Sequence, residues 1–97
     1  MAMKLNGTIT SYIEEYGGTQ ELTRTFKDYP IRDLKRILNI IREIEYHCPL
    51  YQETVDMLNK TRAIIEEAYY GDIENQYKDG CEIGNGGLII DITISPF

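Results

Sequence analysis

Thr8-Ile9-Thr10-Ser11-Tyr12-Ile13-Glu14-Glu15-Tyr16-Gly17-Gly18-Thr19-Gln20-Glu21-Leu22-Thr23-Arg24-Thr25-Phe26 alternates apolar and polar residues on both sides of a glycine pair. This is the pattern of a β-hairpin. Successive side chains of a strand point to opposite faces, and a two-residue turn needs positive φ angles that glycine adopts freely. Centring the turn on Gly17-Gly18 sets Tyr16 opposite Thr19. Ile13 then faces Leu22 and Ile9 faces Phe26, all on one face that Leu5 extends. The other face carries Thr8, Thr10, Tyr12, Thr23 and Thr25. The same register sets Glu14 against Glu21, a like-charge pair costing roughly a few tenths of a kcal/mol when exposed.

Outward from the hairpin, Asp28-Tyr29-Pro30 ends the strands and opens a helix, with Pro30 suited to its first turn. Ile31, Leu34, Leu38 and Ile41 recur at helical spacing, and Ile37, Ile40 and Ile44 widen the stripe. His47-Cys48-Pro49 interrupts the pattern, because proline lacks the donor a helix interior requires and restricts the residue before it. A second helix is expected from about Leu50 to Tyr70, with Gly71 as its stop. The short connection makes the two helices antiparallel.

From Gly71 to Cys81 the chain shows no readable period. Gly84-Asn85-Gly86-Gly87 is turn material, and Leu88, Ile90, Ile92 and Ile94 define the apolar face of a last strand. The expected architecture is a single α+β domain over residues 1–97. It is ordered ββααββ, a roughly four-stranded antiparallel sheet with the helix pair on one face.

Composition bounds the function. The chain has 97 residues, 42% hydrophobic and 27% charged, with a net charge of −6. A general duplex-DNA binder needs a surplus of Lys and Arg to neutralise phosphate, so that class is disfavoured. No run of membrane-spanning length occurs, and the N-terminal residues lack an apolar signal core. Two cysteines make no disulfide framework, and a cytoplasmic protein is expected.

Chemistry-bearing motifs are scarce. His47-Cys48 is a base next to a thiol, but neighbouring residues project in different directions and no acid is placed to orient the imidazole. One His with two Cys 33 positions apart matches no zinc spacing, so neither a catalytic residue nor a metal or cofactor site is assigned. The glycines at 84–87 precede a strand, whereas phosphate cradles precede a helix. Glu14-Glu15 and Glu66-Glu67 are adjacent rather than convergent across a cleft.

Two features remain. Arg32, Lys35, Arg36 and Arg42 place four of the chain's ten cations within eleven residues, three of them on one helical face with Asn39. They form either a site for phosphate or carboxylates, or a solvated stripe paired with Asp33, Glu43 or acids of the second helix. Eight tyrosines, among them Tyr12, Tyr16, Tyr69 and Tyr70, supply apolar area with a polar tip, as interfaces do. The resulting expectation is a small non-enzymatic cytoplasmic binding protein, an inhibitor or accessory factor that occupies a protein partner's surface. Its size and its Ile- and Tyr-rich usage are those of factors carried by phages and mobile elements. The alternative is a protein that sequesters a small anionic ligand, such as a nucleotide, through the basic stripe and tyrosines. A homodimer is also expected, because the apolar stripes are wide and the last strand sits near a sheet edge.

Overall fold

Alternation on both sides of the first turn produces two long strands, β1 (Met3–Glu15) and β2 (Gly18–Pro30). The computed structural model describes residues 2–49 and 51–97. Glu15 pairs with Gly18, so the turn is Tyr16-Gly17, one residue earlier than expected, with Gly17 at φ +101°. The ladder moves accordingly: Ile13 faces Gln20, and Ile9 faces Arg24. A two-residue shift leaves every side chain on its expected face, so Leu5, Ile9, Ile13, Leu22 and Phe26 still share one side. It also removes the like-charge pair, because Glu14 lies opposite Thr19 and Glu21 opposite Tyr12.

The ladder contains one bulge, where Lys27 and Asp28 together oppose Asn6. Asp28 adopts φ +47°, its N–H donates to Asn6 Oδ1 at 2.8 Å, and Lys4 Nζ lies 3.3 Å from its carboxylate. Beside the bulge, Gly7 has φ +123°, and a Cβ there would run into the Asp91 carbonyl, so only glycine fits.

Pro30 closes β2 instead of opening the helix. Ile31–Asp33 forms one 3₁₀ turn, and α1 runs over Leu34–His47. The second helix, α2, spans Gln52–Gly71; its expected start at Leu50 lies outside the described residues. In the connection, the Thr54 hydroxyl accepts from the Tyr51 N–H at 3.1 Å and donates to the Pro49 carbonyl at 2.5 Å. Beyond Gly71, Asp72 in the left-handed region ends α2, its N–H donating to the Ala68 carbonyl at 3.1 Å.

The strands β3 (Asn75–Ile83) and β4 (Gly86–Pro96) complete an antiparallel sheet in the order β2-β1-β4-β3. The last strand is therefore internal, between β1 and β3, not at an edge. The edges are β2 and β3. The fold is α+β in the order ββααββ, with both helices on one face.

Between helices and sheet lies one core: Leu5, Ile9 and Phe26 of the first hairpin, Leu88, Ile90, Ile92 and Ile94 of β4, and the helix stripes. Ile37, Ile44, Met57, Ile64 and Ala68 are all buried, and Ile40 is half-buried. The apolar surplus that argued for a two-fold partner is thus covered within the chain. The thirteen residues of β1 span roughly 43 Å. By contrast, α1 and α2, of 14 and 20 residues, span only about 21 and 30 Å. The sheet consequently overhangs its helices, and toward the turns burial fades from Ile9 to a half-buried Ile13 and an exposed Glu14.

Candidate functional site

At 100° per residue, Arg32, Lys35, Arg36, Asn39, Arg42 and Tyr46 fall within one arc of the first helical segment. All are exposed, because the opposite arc carries Ile37, Ile41 and Ile44 into the core. Arg32, Asp33, Lys35, Arg36 and Asn39 surround a shallow hollow of about 440 Å³. Arg42 continues the face one turn on, outside the hollow.

Of the acids expected to neutralise this face, Glu43 is occupied elsewhere, as is the neighbouring Glu45 of α1. Glu43 reaches across to Arg24 of β2 at 3.5 Å, and Glu45 meets Arg62 of α2 at 3.0 Å. Asp33 shares the hollow but pairs with none of its cations. Among the described residues, no carboxylate lies within 4.0 Å of Arg32, Lys35, Arg36 or Arg42. Four unpaired cations therefore stand together on a protein whose net charge is −6. Aligned charges of this kind set up a local positive field that attracts carboxylates or phosphates.

The four candidate tyrosines do not gather around this face. Tyr16 stands fully exposed at the tip of the first hairpin. Tyr12 lies on the open side of the sheet with its ring laid over Gly87. A Cβ on that glycine would come 2.5 Å from the Tyr12 hydroxyl oxygen. Desolvation there, then the carboxylates of Glu82 and Glu14, push its phenol above the usual range. Tyr12 is thus a packing element of the sheet. Tyr69 and Tyr70 sit at the far end of α2 in an edge-to-face pair, centroids 4.9 Å apart and planes at 85°. Tyr69 shares a groove with one basic residue: with Arg32, Pro30, Ile31 and Phe97 it lines a groove of about 540 Å³ at the chain-terminal end. The aromatic that extends the α1 face is Tyr46, 85% exposed and four residues after Arg42. That spacing is the signal that would have found it.

His47 and Cys48 take part in a packed polar cluster. His47 Nδ1 is 2.9 Å from Ser11 Oγ, which is fully buried in β1. Burial pushes the Cys48 thiol up, against smaller opposing bonds to Ser11 and Thr54. A thiol held protonated this way lacks the character of a nucleophile. Cys81, half-buried on β3, is pushed up for the same reason. The cluster ties the helix connection to the sheet, where Pro49 presses on Gly86 so closely that a Cβ on Gly86 would stand 2.8 Å from the proline ring.

The glycines at 84–87 form the second hairpin turn, Gly84-Asn85, with Gly84 at φ +59°, followed by β4. Among the described residues, no three His, Cys, Asp or Glu side chains converge on a point where a metal ion would sit. No helix is long and apolar enough to cross a membrane. In comparisons with known proteins, no family model, curated protein or solved structure matches this chain.

Proposed function

We propose that this chain is a non-enzymatic binding protein of the cytoplasm that acts by occupying an acidic surface of a protein partner, with the outer face of α1 as its contact. One observation carries the reading: four exposed cations on one helical face, none paired among the described residues, in an otherwise acidic chain. Arginine is the residue suited to planar, bidentate contact with carboxylates, and Tyr46 adds stacking area with a polar tip. An acidic body with a basic face also orients the protein as it approaches its target, which raises association rate and selectivity. Two unpaired cysteines accord with a reducing compartment.

A specific observation favours one other reading. The hollow lined by Arg32, Asp33, Lys35, Arg36 and Asn39 holds three cations against one carboxylate, a surplus that a free phosphate group of a nucleotide would fit.

Charge reversal distinguishes these from a merely solvated face. Lysate proteins retained by the wild-type chain should be lost by the Lys35→Glu/Arg36→Glu/Arg42→Glu variant and released by high salt. Retention of the same proteins by a folded variant overturns the reading. A melting series with mono-, di- and cyclic nucleotides separates the second: a ligand at 100 times its dissociation constant stabilises by about 2.7 kcal/mol.

A further inference from the structure

The two edges of the sheet are finished differently. In β3, Ile83 and Gly86 flank a two-residue turn, so the odd-numbered residues bond inward to β4 and the even-numbered ones point outward. Two of those outward N–H groups are already satisfied: Gln76 donates to Asn75 Oδ1 and Gly80 to Asp79 Oδ1, each at 2.8 Å. That edge is half capped by its own side chains, the N–H groups of Lys78 and Glu82 having no acceptor among the described residues.

On β2 the closing pair Glu15–Gly18 sends the even-numbered residues inward, leaving Thr19, Glu21, Thr23 and Thr25 facing outward. Among the described residues, nothing accepts from the N–H of any of these four. Among these residues the only side-chain bond to the outward backbone groups of this edge is Arg24 Nη1 to the Thr23 carbonyl, at 3.3 Å. An exposed row of unpaired backbone groups on a thirteen-residue strand is a template for another strand.

We infer that β2 pairs antiparallel with β2 of a second copy, about a two-fold axis at Arg24, joining the two four-stranded sheets into one. The residues of the strand select both the occupant and the register. With Arg24 on the axis, Thr23 and Thr25 lie opposite each other and exchange backbone bonds, the Thr23 carbonyl trading its 3.3 Å bond from Arg24 Nη1 for one across the junction. Glu21 comes opposite Lys27 on the open face, twice by symmetry, and Leu22 opposite Phe26 on the helix face. A contact made by one patch with itself must be self-complementary in this way. Arg24 meets its own copy at the axis, but Glu43 is 3.5 Å from each guanidinium. Two positive and two negative charges therefore surround the axis. Lys27 and Asp28 end the pairing, because the bulge bends the strand there.

Light scattering on the full chain at tens of micromolar tests it. The wild type should have a mass near twice the 11.2 kDa of one chain. Thr23→Pro removes an outward donor without touching a backbone bond to β1, giving up only the 3.0 Å hydroxyl bond between Thr10 and Thr23, and should give a folded monomer with unchanged circular dichroism. Glu21→Lys should raise the dissociation constant at least about tenfold, and adding Lys27→Glu should restore it. A wild-type mass of one chain throughout that range overturns the inference and leaves the edge to an extended segment of another protein. A Thr23→Pro protein that remains dimeric overturns it too. So does a charge-swapped double variant that fails to regain the affinity of the wild type, a readout that stands even where the proline variant does not fold.

Discussion

The two hairpins share a connectivity and differ in what they do with it. The second is given over to packing: β4 buries Leu88, Ile90, Ile92 and Ile94, and its partner β3 caps its own outer edge through Asn75 and Asp79. Its glycines let Pro49 and Tyr12 lie directly on the backbone. The first is longer than the helices that cover it, carries an exposed tip at Tyr16, and leaves its outer edge without caps. Burial and edge protection are thus distributed unequally within one sheet. The half that anchors the core has two of its outward donors capped, and the half that projects has none among the described residues.

Truncation in the two hairpins should break or sustain this comparison most directly. Ile92→Ala, at a position 1% exposed, should cost roughly 2–5 kcal/mol, since it opens a cavity where sheet and helices meet. Ile13→Ala, half-buried in the overhang, should cost under about 1.5 kcal/mol, because water replaces much of what the side chain touched. Urea titrations of both variants measure the difference. Equal losses would mean that the overhang is packed as tightly as the centre.

A smaller effect comes from Tyr77, the buried aromatic of β3. Its hydroxyl donates to Asp79 Oδ2 at 3.0 Å, and burial, with that bond, pushes the phenol from 10.0 up to about 12. A group whose folded value is raised holds its proton longer in the folded state, so its stabilising contribution is complete below pH 10. Between about pH 10 and 12 the unfolded chain ionises first and the contribution is lost, in total roughly 2–3 kcal/mol. Tyr77→Phe should flatten the alkaline fall in stability over that window, as followed by denaturant midpoints at successive pH values. An unchanged pH profile would show that the hydroxyl is not held this way.

Smallest is the cap itself. Asn75→Ala removes the acceptor for the Gln76 N–H at an exposed position, so water takes its place and the loss should stay under about 1 kcal/mol. The informative readout is association. With one donor freed, β3 should begin to self-pair at high concentration, while the wild-type edge stays inert.

Much of the fold was legible because side-chain periodicity survives most errors of detail. Alternation assigned Ile9, Ile13, Leu22 and Phe26 to one face even though the turn was placed one residue late, since moving the ladder by two preserves the face. Ile31, Ile37, Ile41 and Ile44 of the first helical segment followed from spacing for the same reason. The basic face was legible as spacing, but its freedom from ion pairs was not. That depended on Glu43 reaching Arg24, 19 positions away in the chain, and Glu45 reaching Arg62. Strand β3 was illegible, because an edge strand with one face open needs few apolar residues. It takes its conformation from pairing with β4.

The amino-acid order by itself determined the first hairpin, the two helices and the last strand, all properties of local period and turn chemistry. Only the tertiary structure decided which strands lie at the centre. First and last strands pair there, as Met3 with Pro96 through Ile13 with Gly86, and this contact between the chain's two ends leaves no mark in any local window. Everything functional inherits that decision. With β1 and β4 inside, β2 and β3 become the edges, and which outward N–H groups have acceptors depends on hydrogen-bond geometry that spacing alone does not encode.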